Sequence, residues 1–150
     1  MKRSAALAPL SRDHHHALVI ASALTRADEG TARSSAKLFA DFIGSHEIRH
    51  FALEEALLLP ALPPGERGRR LAERVRADHQ ELREAAGKLA DDRLEPTVEL
   101  ARAIGARLRA HVQMEERELF PYLESSLDGG ALERIGAQIE AAEARRPPTA

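Results

Sequence analysis

Three observations predict an all-α fold, specifically an antiparallel up-down-up-down four-helix bundle closed by a short fifth C-terminal helix. Ala, Leu, Arg and Glu dominate the 150 residues and β-branched residues are sparse. Apolar positions recur every three to four residues along most of the chain. Turn-forming runs interrupt this pattern at DEGTARSS (28–35), PALPPGERG (60–68), DDRLEP (91–96) and SLDGG (126–130). Short connections between long helices favour antiparallel neighbours. The length suits a single domain spanning 1–150, with the bundle over about 8–123, a C-terminal helix over about 131–144 and a disordered tail over about 145–150.

Each helix carries a stripe of inward positions spaced by three and four. The first, about 8–28, with the residues leading into it, offers Leu7, Leu10, His14, Ala17, Ala21 and Leu24. The second, about 33–59, offers Phe39, Phe42, His46, His50, Leu53 and Leu57. The third, about 68–90, offers Leu71, Val75, His79, Leu82, Ala86 and Leu89. The fourth, about 97–120, and its extension offer Ala101, Ile104, Leu108, His111, Glu115, Leu119 and Tyr122. The fifth is short, with Leu132, Ile135 and Ile139 on one face.

Composition narrows the chemistry. A formal net charge of −2 with acidic and basic residues mixed throughout gives no bulk attraction to nucleic acid or to an anionic membrane. The absence of cysteine excludes disulfides, thiolate metal sites, iron–sulfur clusters and cysteine nucleophiles. No apolar run reaches the roughly 20 residues needed to span a bilayer. The basic start MKRSAALAPLSRD loses its apolar run at Pro9 before secretory length, so a cytoplasmic location is expected.

Every one of the four long stripes contains a histidine. One histidine on an apolar face is ordinarily a hydrogen-bonded core residue, but one near the middle of each helix asks for a shared cause. Glu115 adds to this, because a carboxylate among Ile104, Leu108 and Leu119 costs several kcal/mol of desolvation unless it is paired, neutralised or metal-bound. The facing stripes offer it histidines and no Lys or Arg. A cation at the centre would satisfy all of these groups.

An internal repeat gives the arrangement. HFALEEALLLPAL (50–62) aligns without a gap on HVQMEERELFPYL (111–123), matching His, Glu-Glu, Leu, Pro and Leu. Asp13-His14 precedes the first copy and Asp78-His79 the second, so the order is H, HxxxE, H, HxxxE. Residues at i and i+4 lie one turn apart and about 40° around the helix, so imidazole and carboxylate reach the same metal or adjacent ones. Mixed imidazole and carboxylate suit iron, manganese or zinc better than magnesium or calcium.

The segments RDHHHAL, HFALEEALLLP, RADHQEL and HVQMEERELFP, in this order, resemble the hemerythrin family, in particular its bacterial hemerythrin-like (HHE cation-binding) domains, over roughly residues 8–123. The resemblance implies terminal ligation by His14, His50, His79 and His111. It also implies that Glu54 and Glu115 bridge two irons, with an oxo or hydroxo group as a third bridge; zinc or manganese are the substitutes that the same donors accept. In oxygen-carrying members a second histidine stands one turn before the residue matching His79, where this chain has Val75, and the fourth helix uses a longer His-to-Asp spacing. Filled by four histidines, two bridging carboxylates and one bridging oxygen, a pair of six-coordinate irons keeps two positions open. The expected ligand is therefore O₂, peroxide, NO or azide at a peroxide-reactive or gas- and redox-sensing centre, with catalase- or peroxidase-like turnover open and dedicated O₂ carriage disfavoured.

Three other readings stand beside this one. HEIRH (46–50) has the form of the zinc-protease motif, but Leu53 and Ala56 stand where its extension needs Gly and His, and the unit at 111–115 is left unexplained. A ferritin-like carboxylate site needs Glu-x-x-His twice; Glu47 supplies one copy, and Leu108 occupies the matching position of the other. A metal-free helical interaction domain with satisfied core histidines would bind no iron and show no visible absorption. Of the remaining polar residues, His46 is a supporting group, a substitute ligand or a packing group, and Glu47 can join the site from the face of His50. His15 and His16 point away, Glu55 and Glu116 are expected to face solvent, and Asp13 and Asp78 either orient neighbours or are solvated. Pro60 and Pro121 read as helix terminators.

Overall fold

The computed structural model describes residues 2–145, all of whose regular elements are helical. Residues 146–150, most of the expected tail, lie outside the described residues. Helix α1 runs Ala8–Thr25. The second rod is composite: α2 (Ala32–Phe42), a π turn (Ile43–Glu47), α3 (Ile48–Leu53), a second π turn (Glu54–Leu58) and a closing 3₁₀ turn (Leu59–Ala61). The third is a single long helix, α4 (Glu66–Ala90). The fourth joins α5 (Val98–Met114), a π turn (Glu115–Leu119) and α6 (Phe120–Ser126), and α7 (Gly129–Ala144) is the expected short fifth helix.

Local chemistry sets these boundaries. α1 stops short of 28 because the Asp28 carboxylate accepts from the backbone N–H groups of Gly30 and Thr31, closing a turn that leads into α2. Thr97 and Asp128 cap α5 and α7 by accepting from the N–H groups of Leu100 and Ala131. Gly65, at φ 130°, makes the bend into α4 that a residue with a Cβ resists. α1 and α5 pack closely enough that a Cβ on Gly105 would lie 2.8 Å from the Thr25 backbone nitrogen.

The π turns change which residues face inward. A proline ring clashes with the carbonyl four residues earlier. For Pro60 and Pro121 those carbonyls belong to Ala56 and Arg117, each in the middle of a π turn whose wider coil relieves the clash. Pro121 therefore does not terminate its helix, as the sequence led us to expect, but lies inside α6; Pro60 sits in the 3₁₀ turn that ends the second rod. Each π turn carries one extra residue and shifts the inward stripe by one. After Glu54 the stripe continues at Leu58, with Leu57 only half-buried, and after Glu115 it continues through Leu119 and Phe120 to Leu123, with Tyr122 half-buried. The turn at Ile43–Glu47 likewise moves the stripe from the expected His46 to Glu47. The stripes of α1 and α4 follow an unbroken helical period and match expectation.

The core falls into two apolar halves. One joins Ala17, Ala21 and Leu24 of α1 to Phe39, Phe42, Leu82, Ile104 and Leu108. The other joins Leu7, Leu10, Leu58, Leu71, Val75, Phe120 and Leu123 to Ile135 and Ile139, by which α7 covers that end of the bundle. Between the halves lies a layer of buried polar side chains.

Candidate metal centre

This layer consists of His14, Glu47, His50, Glu54, His79, His111 and Glu115, each no more than 3% exposed. All four bundle rods contribute, because each inward stripe reaches the midplane with a polar residue. Six of the seven form two groups whose ligand atoms lie within 4.8 Å of one another: His14, His50, Glu54 and Glu115 in one, and Glu54, His79, His111 and Glu115 in the other. Glu54 and Glu115 belong to both.

The carboxylates divide their oxygens between the two groups. Glu115 Oε1 is 2.9 Å from His14 Nε2 and 3.8 Å from His50 Nε2, whereas its Oε2 is 3.3 Å from His111 Nε2 and 3.8 Å from His79 Nε2. Glu54 Oε2 is 3.3 Å from His50 Nε2 and its Oε1 is 3.1 Å from His79 Nε2. Yet Nε2 of His50, His79 and His111, both oxygens of Glu54 and Oε2 of Glu115 have no hydrogen-bond partner. Buried polar atoms are rarely left so. Ligand atoms about 2.1 Å from one octahedral ion are about 3 Å from their neighbours, close to the four shorter separations here, so a shared cation would satisfy the atoms left without hydrogen bonds. The donor set, neutral imidazole with carboxylate and no sulfur, fits iron, manganese or zinc.

The outward ring nitrogens are held in a cyclic order. Each histidine's Nδ1 faces a carboxylate from the rod before it, the fourth rod serving the first. His14 faces Glu116 Oε2 at 2.6 Å, His50 faces Asp13 Oδ2 at 3.2 Å, His79 faces Glu55 Oε2 at 3.1 Å and His111 faces Asp78 Oδ2 at 2.9 Å. With Nδ1 protonated and donating outward, Nε2 presents its lone pair to the centre. The acids are anchored in turn. Ser11 Oγ and the Arg3 guanidinium donate to Glu116, and Arg83 donates to Glu55. Glu55 and Glu116 thus do not simply face solvent, as the sequence suggested, and Asp13 and Asp78 are orienting residues. The signal that could have found the two glutamates was the doubled Glu-Glu in both copies of the repeat.

Charge in the metal-free layer follows from these contacts. Burial opposes protonation of His14, but its hydrogen bonds to Glu115 and Glu116 outweigh it and raise the pKa to about 9. Against the same penalty, contacts with Glu115 and Glu54 raise His79 to about 8, and Glu115 and Asp78 raise His111 to about 10. His50 is also raised well above its ordinary value, burial being overcome chiefly by Glu54 and Glu47. For Glu115 burial is outweighed by His111 and the other imidazoles, which hold it well below the usual carboxylate range. In the absence of metal, protons do the work of a cation.

His46 is half-buried outside both groups, its ring 5.6 Å from that of His16, which also packs on Phe42 at 4.7 Å. Glu47 is buried, its Oε1 3.5 Å from His50 Nδ1. His15 and His16 lie off the buried stripe of their own helix, as expected. Aromatic rings brace the layer, Phe51 stacking on His79 at 3.9 Å and Phe120 on His14 at 5.3 Å. Among the described residues no helix is long and apolar enough to cross a membrane.

Comparison with known proteins gives a family. The chain matches the Hemerythrin HHE cation binding domain over residues 6–123, and a second match covers 70–145. No curated protein and no solved structure gives a match. The first match runs from α1 into α6 and takes in every residue of both four-membered groups, so the chain belongs to the hemerythrin HHE cation-binding domain family.

Proposed function

We propose that this protein holds two iron ions, one among His14, His50, Glu54 and Glu115 and one among Glu54, His79, His111 and Glu115, and that the pair binds or reduces a small oxidising or gaseous ligand: peroxide, O₂ or NO. The observation that carries this reading is that Glu54 and Glu115 each turn one oxygen to either group, while most of the buried atoms facing one another there are without hydrogen bonds. Zinc or manganese would fit the same donors in place of iron.

When bound, two irons supply a redox couple and Lewis acidity. The chain supplies the rest. Asp13, Glu55, Asp78 and Glu116 hold the four imidazoles through Nδ1, an arrangement that would turn each Nε2 toward a bound metal. Phe51, Phe120, Val75, Met114 and Leu108 close the layer with apolar surface, which keeps bulk water away and strengthens electrostatic interactions within it.

Val75 favours reactivity over reversible O₂ carriage. It is fully buried one turn before His79 and supplies no ligand, so a pair of ions held here would have one fewer histidine than in the carriers this chain resembles and more room for an exogenous ligand. The test is metal analysis combined with visible spectroscopy of iron-loaded protein. The reading expects about two irons per chain and charge-transfer bands that shift with azide and respond to peroxide. Colourless protein without stoichiometric metal would instead favour the metal-free interaction domain.

A further inference from the structure

Glu47 has no counterpart across the internal repeat. The two halves agree at their metal-facing histidines, at the following carboxylates and at the acids that receive Nδ1, but three residues before His111 stands Leu108, fully buried, where Glu47 precedes His50. The backbone differs there too. The π turns that open at Glu54 and Glu115 are related by the repeat, whereas the turn at Ile43–Glu47 is matched by the regular helix of α5. That turn carries no proline to explain it. Its effect is to rotate Glu47 to the inward stripe, at 2% exposure, in place of His46. Single π turns of this kind are frequently retained at functional sites.

The outcome is an asymmetric environment. His50 Nδ1 faces two carboxylates, Asp13 at 3.2 Å and Glu47 at 3.5 Å, whereas His111 Nδ1 makes its carboxylate contact with Asp78 at 2.9 Å, and the position that matches Glu47 is the buried Leu108. A carboxylate behind a ligating imidazole raises its basicity; burial pushes the Glu47 carboxyl up to about 7, and a cation held beside His50 would favour its charged form, so that Glu47 then adds negative potential on that side of the centre.

We infer that Glu47 is a positioning residue that makes the two metal positions inequivalent, so that the ion among His14 and His50 is bound first and more tightly than the ion among His79 and His111. This rests on the two-metal reading above, and deepens it by assigning an order of loading and a residue that sets it.

The test is a Zn²⁺ titration of the full, chelator-stripped chain labelled with ¹⁵N-histidine, following the ring nitrogens, with exposed His15 as an internal reference. In the wild type, His14 and His50 signals should shift over the first equivalent and those of His79 and His111 over the second. E47Q keeps the side-chain shape and removes the charge; it should weaken the first step about 10- to 100-fold, the usual effect of losing such a partner, and abolish the order. E47L, which installs the residue that the other half already tolerates, should do the same, and L108E should restore tight binding on the opposite side. Concerted shifts of all four histidines in the wild type, or an unchanged order in E47Q and E47L, would overturn the role of Glu47 while leaving two-metal binding intact. Saturation at a single equivalent would overturn the two-metal reading and this inference together.

Discussion

Glu115→Ala and His14→Ala make a decisive pair, because Glu115 belongs to both four-membered groups and His14 to one. Removing a shared ligand should empty both positions; removing His14 should leave Glu54, His79, His111 and Glu115 to hold one ion. An ion bound only by the native state at 100 times its Kd stabilises by about 2.7 kcal/mol. Two such ions give about 5.4 kcal/mol, which in a domain of this size raises the melting temperature by about 11–22 °C at roughly 2–4 °C per kcal/mol. The quantity to compare is the melting temperature with Zn²⁺ minus that with chelator, variant by variant. Effects of the substitution on the metal-free fold then cancel. The wild type should show the full increment, His14→Ala about half with one equivalent bound, and Glu115→Ala essentially none. Two equivalents retained by Glu115→Ala would refute the shared-carboxylate reasoning, as would complete loss of metal in His14→Ala.

The pKa shifts predict opposite behaviour of metal-free and loaded protein above neutrality. His14, His79 and His111 have folded-state values of about 9, 8 and 10 against an ordinary 6.5, so their contribution to stability is complete below pH 6.5 and is lost as pH rises through 8 to 10. The denaturation midpoint of chelated protein should therefore fall between pH 7 and 10 while apparent metal affinity rises, with protons released on loading; a flat midpoint and no proton release would contradict the protonated cluster. Val75→His places an imidazole one turn before His79 and should close one open position, slowing peroxide consumption several-fold and weakening azide binding at a packing cost of about 1–3 kcal/mol; unchanged azide titrations would show that the new ring does not reach the metal. Gly105→Ala should lower stability by about 1–3 kcal/mol in chemical denaturation without changing metal stoichiometry, since the added methyl would meet the Thr25 backbone and the Leu24 Cβ at 2.7 Å.

The fold and six of the seven residues of the buried polar layer were legible because both depend on a helical period that holds over most of the chain. α1 and α4 contain no interruption, and their stripes from Leu7 to Leu24 and from Leu71 to Ala86 match the buried faces closely. The repeat, not the zinc-protease spelling of HEIRH, pointed to the buried polar layer: His46 lies off it against His16 and Phe42, and the residues this segment sends into it are Glu47, His50 and Glu54. What a constant period could not give was the phase downstream of each π turn. It put Leu57 and Tyr122 inward where the structure buries Leu58 and Leu123, and His46 where it buries Glu47. The same limit hid the roles of Glu55 and Glu116. On a single helix each sits about 100° from the residue before it, and only the approach of the neighbouring rod brings them to His79 and His14.

The central claim, that Glu54 and Glu115 join two irons into one centre, is tested most directly by the magnetism of the diferric protein. Two irons per chain coupled antiferromagnetically, silent in conventional electron paramagnetic resonance and showing quadrupole doublets in the Mössbauer spectrum, is the predicted result. An isolated high-spin ferric signal accounting for all the bound iron would contradict it.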